Sequence, residues 1–336
     1  MIILKAQALS DFLNKVIFVI FLGLLASCGS TQVISANSSP ALMASVPLSP
    51  EEVLDIGIIA FDPNIPDDII ESNENLIVPD VRRAESRYIA YHLKNTLENT
   101  GNWGAVRVLP NSTESSHIEI NGKILSSDGE MLRLKITAID SKKIKWIDRI
   151  FEDRATGLGY ENPTEDPFQD LYNEIANDLL AFRNSLSSTD SSNIKEIAKL
   201  RFAADLAPEK FDGYLVEEKN GSLKIGQLPA SNDPMIIRVA QLEDLDFLFI
   251  DTLDTHFNKF YRETQASYDE WRRTTFAEAL RLRELQKEAR RRIAAGALMI
   301  VGGIAAEGSS SAAAYTGAIG GGTAIRQGLS KRVQAT

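Results

Sequence analysis

The chain has 336 residues, a formal net charge of −10 and a single cysteine. This length allows one large or two ordinary domains, and one cysteine excludes an intrachain disulfide, so the hydrophobic core must hold the fold. The charge is uneven, because residues 259–292 hold ten Lys or Arg against six Asp or Glu while the first 258 residues are strongly acidic. An acidic body argues against general nucleic-acid binding, which needs a basic face.

An apolar run near the amino terminus, Val16–Ala26, leads into the only cysteine. The four residues at its end are Leu25, Ala26, Ser27 and Cys28. This pattern resembles the lipobox of bacterial lipoprotein signal peptides, in which small residues allow cleavage and the cysteine takes up a diacylglyceryl group. The resemblance implies that residues 1–27 form a signal peptide and that acylated Cys28 attaches the mature chain to a membrane.

Two other interpretations of this segment are a transmembrane anchor and a signal peptide that is cut elsewhere. A spanning helix needs about 20 apolar residues, roughly twice the length of this run. In the lipoprotein class an aspartate after the cysteine retains the protein in the inner membrane, so Gly29 implies the periplasmic side of the outer membrane. Residues 29–50 carry no charge and are rich in Ser, Ala and Pro. Residues 28–50 are therefore expected to be a lipidated tether that reaches up to about 60 Å.

Residues 51–190 are predicted to form an α/β domain. Continuous or alternating apolar residues predict strands, apolar residues three and four apart predict helices, and Asp128-Gly129 favours a tight hairpin. The predicted strands are Val53–Phe61, Ala105–Leu109, His117–Leu125, Met131–Ile139 and Ile144–Phe151. The predicted helices are Asp80–Asn99, ended by Gly101, and a helix capped by Asp166 that continues to Phe182.

The order strand, helix, three or four strands, helix over Val53–Asn184 resembles the α/β domain of the TolB amino-terminal region and the curli-secretion lipoprotein family. The segments Val81–Ala84 and Val106–Pro110 also look like a family of uncharacterised proteobacterial lipoproteins, which brings no known activity. The expected class is α+β, with a small mixed sheet and two packing helices followed by a mostly helical region.

Residues 191–292 are predicted to be mainly helical, with one short hairpin over Asn220-Gly221. A Ser/Thr/Asp linker at Ser185–Asn193 is expected to precede a helix over Ile194–Leu206. From Pro234 to Arg292 the helical spacing is uninterrupted, and a helix of this length usually leaves its domain or folds back. Its expected aromatic face consists of Phe257, Tyr261, Tyr268 and Trp271.

Residues 293–336 are rich in glycine and alanine, and small residues at close spacing allow helices to approach tightly, as in glycine zippers. Three interpretations stay open for this segment. It forms a packed helical hairpin in water, or a membrane-associating or self-associating hairpin, or it is disordered. The Arg290-Arg291-Arg292 cluster before it suits contact with anionic head groups.

The residues offer little evidence of catalysis. The three histidines lie in different predicted elements, with His92 expected to be half-buried, and the best metal candidate is Asp251, Asp254 and His256. On a helix the two aspartates share a face while His256 points elsewhere, which favours a solvated face over a metal site. No nucleophile elbow, zinc-protease motif or phosphate loop is present in the sequence. We therefore expect no enzyme activity, no metal, no cofactor and no small-molecule substrate.

By elimination the sequence predicts a binding or assembly scaffold of the cell envelope that docks a protein partner or associates with itself. Trp103 and Tyr160, in polar loops, are candidates for partner contact, and the alternative is that both rings cap the core. A second hypothesis is an oligomeric secretion or pore component like the curli-secretion lipoprotein. The third is a hydrolase of envelope material, which requires a cleft with two converging carboxylates.

Overall fold

The computed structural model describes residues 39–45, 49–67, 77–161, 165–230 and 232–305, with side chains described as far as residue 295. The predicted signal peptide and the lipobox, including Cys28, lie outside the described residues. The glycine-rich segment is described only as far as residue 305.

The described residues form a five-stranded mixed sheet followed by a mostly helical region, which confirms the α+β class. The strands are β1 (Ile56–Ile59), β2 (Val106–Leu109), β3 (Ile118–Ser127), β4 (Met131–Asp140), β5 (Lys145–Arg154), β6 (Leu215–Glu217) and β7 (Leu223–Ile225). The helices are α1 (Pro79–Thr100), α2 (Gly157–Glu161), α3 (Gln169–Arg183), α4 (Ser188–Leu206), α5 (Pro208–Phe211) and α6 (Pro234–Ala305).

The main sheet has the strand order β2-β1-β3-β4-β5. The interior strand β1 pairs parallel with β2 and β3, and α1 makes the crossover that the parallel connection from β1 to β2 needs. Strands β3, β4 and β5 continue as an antiparallel meander. The predicted Asp128-Gly129 hairpin connects β3 to β4, and Gly129 has the positive φ of +80° that such a turn requires.

One face of the sheet supplies the hydrophobic core. Strand β4 buries every second side chain, from Leu132 to Ala138, and leaves the intervening ones partly exposed. This alternation is the expected pattern for an antiparallel strand with one covered face. Helices α1 and α3 contact each other and pack with these strands in one apolar cluster. Gly101 ends α1 with a φ of +67°, as the sequence predicted.

Two predicted boundaries were wrong. The linker expected at Ser185–Asn193 is mostly the first turns of α4, because Ser187 and Asp190 form a reciprocal capping box that starts the helix at Ser188. Serine and aspartate are typical of loops, but they are equally typical of helix starts. Helix α3 begins three residues after Asp166, whose carboxylate accepts a hydrogen bond from the Phe168 amide at 2.9 Å.

Part of the predicted tether is bound to the surface of the sheet domain. The Ser39 amide donates to Asp170 at 2.9 Å and the Leu42 amide donates to Asn177 at 2.8 Å. The side chain of Asn102 donates to the Leu42 carbonyl at 2.7 Å. Residues 39 and 42 of the predicted tether are therefore fastened to the sheet domain. Ten residues lie between Cys28 and Ser39 in the sequence.

Helix α6 is continuous over 72 residues, which corresponds to about 108 Å at ~1.5 Å per residue. The sequence left open whether such a helix departs from its domain or folds back, and the structure shows that it lies along the domain. It contacts α1, β2 and α4, and Phe257, Tyr261 and Phe276 pack against the main core. Within the described residues, no helix has both the length and the apolar character needed to cross a bilayer.

The hairpin tip at Gly129 touches α6 directly. A Cβ atom at Gly129 would lie 2.4 Å from the Arg272 carbonyl oxygen and 2.8 Å from the Phe276 amide nitrogen. Gly221, in the second hairpin, has a similar φ of +85° but no heavy atom within 4 Å of its would-be Cβ. The two glycines thus share a backbone conformation and differ in contact with the helix.

We expect Gly221→Ala to lower the free energy of unfolding by about 1–2 kcal/mol, because of its positive φ alone. Gly129→Ala has the same strain and also places the new methyl group against backbone atoms of α6. We expect this overpacking to lower the free energy of unfolding by a further ~1–3 kcal/mol. Urea unfolding of both variants measures the difference. Equal decreases in the free energy of unfolding for the two variants would show that the hairpin tip is not in close contact with α6.

Candidate functional site

A buried ion pair fixes the middle of α6 to the sheet domain. The guanidinium of Arg272, which is 2% exposed, donates to both oxygens of Asp166 at 3.1 and 2.8 Å. The same group also pairs with Asp269 one turn earlier and lies 4.5 Å from the ring centroid of Tyr268. Such a bidentate arginine–carboxylate pair is both strong and geometrically specific. Its two partners are 106 positions apart in the sequence.

The electrostatics of this pair favour both charges. Burial alone would raise the pKa of Asp166, but attraction from Arg272 and His92, with hydrogen bonds from Arg272 and the Phe168 amide, outweighs burial and lowers it. Burial likewise opposes the charge on Arg272, and Asp166, Tyr268 and Asp269 outweigh it and raise the pKa of the guanidinium. Each charge is therefore held by its partner, and both side chains are almost fully shielded from water.

A second buried cluster lies next to this pair on α1. The carboxylate of Glu85 accepts hydrogen bonds from the Ser127 hydroxyl at 2.6 Å and the Tyr268 hydroxyl at 2.8 Å. Arg82 contributes an ion pair with the same carboxylate at 2.9 Å. Burial raises the pKa of Glu85, and the attraction of Arg82 and the two hydroxyl donors offsets this only in part. Tyr268 thus connects α6 to both α1 and β3.

The predicted half-buried histidine is part of the same layer. His92 Nδ1 lies 2.8 Å from the Tyr261 hydroxyl and its Nε2 lies 2.9 Å from Gln169 Oε1. The Tyr261 ring stacks on Tyr88, with 4.6 Å between the ring centroids. The histidine therefore bridges α1, α3 and α6, and both of its ring nitrogens have partners.

Ion pairs also fix α6 on either side of this layer. Towards its amino terminus, Arg107 Nε lies 2.7 Å from Asp251, and Lys94 lies 3.4 Å from Asp254. Towards its carboxyl terminus, Arg283 pairs with Asp128, at 2.5 Å, and with Glu130 in the hairpin tip. From Asp251 to Arg283 the attached length is about 48 Å at ~1.5 Å per residue.

A cleft of about 480 Å³ opens between α6 and the segment that precedes α3. Its lining includes four carboxylates and two arginines, namely Glu165, Asp166, Asp269, Glu270, Arg272 and Arg273. Arg272 binds Asp166 and Asp269, and Arg273 binds Glu270. A glycosidase needs one carboxyl group with a raised pKa to act as the acid, whereas the pKa of Asp166 is lowered. The cleft thus brings carboxylates together but pairs three of them with arginines.

The outward face of α6 carries an apolar surface that we call the leucine patch. It consists of Leu242, Leu245, Leu248 and Phe249, which are between 48% and 62% exposed. The spacings of three and four residues place these side chains on one face of the helix. The opposite face buries Val239 and Ile250. Contiguous exposed apolar side chains of this kind mark interaction sites.

The residues predicted to contact a partner lie in the core. Trp103 is 8% exposed and packs near Trp146 at a ring distance of 6.5 Å, and Tyr160 is 9% exposed and packs against Phe276. The Tyr160 hydroxyl donates to the Gly129 carbonyl at 2.6 Å. Their placement agrees with the alternative that both rings cap the core.

The aspartates of the candidate metal triad are engaged by basic residues. Asp251 binds Arg107 and Asp254 binds Lys94, while His256 is exposed to solvent. In the described part of the chain, no three His, Cys, Asp or Glu side chains are placed to hold a metal ion.

No family model, curated protein sequence or solved structure matches this chain.

The sequence analysis missed the leucine patch and the partners of Arg272. The patch has a recognisable signal, since leucines at positions 242, 245 and 248 recur with helical spacing on the face opposite Ile250. The pairing of Arg272 with Asp166 has no local signal, because the two residues belong to distant segments and meet only in the folded chain.

Replacing Arg272 with methionine is expected to lower the free energy of unfolding by about 3–5 kcal/mol, because it leaves the buried Asp166 carboxylate without its partner. The neighbouring Arg273 is the matched control, since it is 59% exposed and its one ion pair among the described residues is with Glu270. Arg273→Met should lower the free energy of unfolding by less than about 1 kcal/mol. Guanidinium unfolding followed by circular dichroism measures both variants, and similar costs for the two would contradict the assigned role of Arg272.

Proposed function

We propose that this chain is a lipid-anchored binding scaffold on the periplasmic side of the outer membrane. In this proposal acylated Cys28 attaches the chain to the membrane, the sheet domain supports α6, and the leucine patch docks a protein. The resemblance of residues 16–28 to lipoprotein signals supports the anchor, and the resemblance of Val53–Asn184 to envelope α/β domains agrees with the location.

The leucine patch is the observation that carries the docking role. Three leucines and a phenylalanine stand exposed on a helix whose other face is fixed by the Arg107–Asp251 and Lys94–Asp254 ion pairs. A rigid support lowers the entropy that is lost on binding. Apolar side chains at positions i, i+3 and i+7 are the anchors by which helices dock to partner surfaces.

The charges around the patch restrict the partner. Between Val239 and Asn258 the helix carries five carboxylates and no Lys or Arg. Asp244, which is exposed, lies directly beside Leu245. Complementary charge steers association and excludes like-charged surfaces. The patch therefore favours an apolar surface bordered by basic side chains.

The short tether keeps the sheet domain near the membrane. Residue 39 is already bound to α3 through Asp170, so an anchor at Cys28 would allow a span of about 34 Å over eleven residue steps at ~3.1 Å per residue. A scaffold of this kind acts on partners at the membrane surface rather than deep in the periplasm.

Site-specific photocrosslinking in intact cells tests the docking role. A photoreactive amino acid replaces Leu248, which is 62% exposed in the patch, and in a matched strain it replaces Leu158, which is 72% exposed on α2. We expect a discrete crosslinked product from position 248 that the added substitution Leu245→Asp abolishes. Position 158 should give no such product, since α2 has no second exposed large apolar side chain in the described part of the chain.

Absence of a product at position 248, or the same product at both positions, would contradict the docking role. A second arm of the experiment compares Cys28 with Cys28→Ala after feeding a fatty-acid analogue. Label that depends on Cys28 supports the anchor. An equally labelled Cys28→Ala protein would disprove it.

A further inference from the structure

The two halves of α6 carry opposite charge. Residues 239–258 hold five acidic residues and no basic residue, whereas residues 272–292 hold eight basic residues and three acidic ones. The net charges are therefore −5 and +5. Asp251, Asp254, Arg272 and Arg283 are already paired within the chain, and without these four the two halves still carry −3 and +3. Two such helices side by side in parallel would place like charge against like charge, whereas an antiparallel pair places each acidic half against a basic half.

Apolar side chains on the outward face repeat the same spacing in both halves. Leu245 and Leu248 are exposed in the acidic half, and Ala277 and Leu280 are exposed in the basic half. Each pair is separated by three residues. Two copies of α6 can be aligned antiparallel so that Leu245 of one faces Leu280 of the other and Leu248 faces Ala277. In this register the numbers of any two opposed residues add up to 525. Leu245 and Leu248 of the leucine patch thus meet the exposed apolar residues of the other helix.

The same register also opposes complementary charges. Asp244 faces Arg281, and both side chains are exposed. Arg262 faces Glu263 across the centre, and both are exposed as well. Its one like-charge apposition within the described residues, Arg238 with Lys287, falls near the outer end. A two-fold arrangement repeats every favourable contact, which is why isologous dimers are the commonest assemblies.

We propose that the partner of the leucine patch is a second copy of this chain, joined through an antiparallel pair of α6 helices with the two-fold axis between Arg262 and Glu263. This inference rests on the proposed docking function and names its partner. The two sheet domains then lie on opposite outer sides of the helix pair, because each packs against the inward face of its own α6.

Cysteine crosslinking of the full chain in detergent tests the orientation. The background carries Cys28→Ala, which leaves no other cysteine, and a short bis-maleimide joins thiols that lie close together. Glu263→Cys should crosslink with itself, because it lies at the axis. Asp244→Cys alone and Arg281→Cys alone should not, since residues 244 and 281 of one helix are about 55 Å apart at ~1.5 Å per residue. A mixture of these two proteins should crosslink.

Self-crosslinking of Asp244→Cys would indicate a parallel pair and overturn the proposal. Lack of crosslinking at Glu263→Cys would overturn it too. A photocrosslink from position 248 to a different protein, together with a purified chain that sediments as a monomer, would support the docking function and contradict self-association. If nothing is captured and no dimer forms, both proposals fail.

Charge reversal supplies an independent measurement. Asp244→Arg and Arg281→Asp each place like charges together at two symmetric positions, and we expect each to raise the dimer dissociation constant about tenfold. The double variant restores opposite charges and should return the constant to within about threefold of the original. Sedimentation equilibrium measures the constants, and circular dichroism confirms that the fold is kept. The register would be contradicted if the two substitutions together raised the dimer dissociation constant by the product of their separate effects.

Discussion

A buried guanidinium must be paired, and this requirement determines how the molecule is assembled. Arg272 is almost fully buried. Its charge is tolerated only because both carboxylate oxygens of Asp166 accept hydrogen bonds from the guanidinium. Asp166 is placed by the turn that leads into α3, and Arg272 is placed by α6. The pair therefore forces a distant helix to lie along the sheet domain, and the Glu85–Tyr268 and His92–Tyr261 contacts extend the same polar layer.

This constraint gives α6 two different faces. The inward face is polar at its centre and apolar around it, and it is shared with the core of the domain. The outward face has no such partner within the described part of the chain, and its apolar residues are concentrated in the acidic half. A helix that is held on one side and uncovered on the other is suited to presenting a surface, which is what the proposed docking role requires.

Local chemistry explains which parts of this structure the sequence predicts. The alternation of Leu132, Leu134 and Ile136 predicts a half-covered strand, and Gly101 predicts a helix end, because both signals lie within a few residues. The start of α4 was missed because serine and aspartate serve loops and helix caps alike, and Trp103 is buried although its neighbours are polar. The Arg272–Asp166 pair was beyond reach, since a bond across 106 positions leaves no periodic pattern in the sequence.

The central claim is that α6 and the sheet domain unfold as one unit, and hydrogen–deuterium exchange of the full chain measured by mass spectrometry tests it most directly. Amides of α6 between Asp251 and Arg283 should be protected to the same degree as those of β3 and β4, because the buried layer couples their opening. The account would be contradicted if these helix amides exchanged orders of magnitude faster than the strands, since α6 would then be a detachable arm.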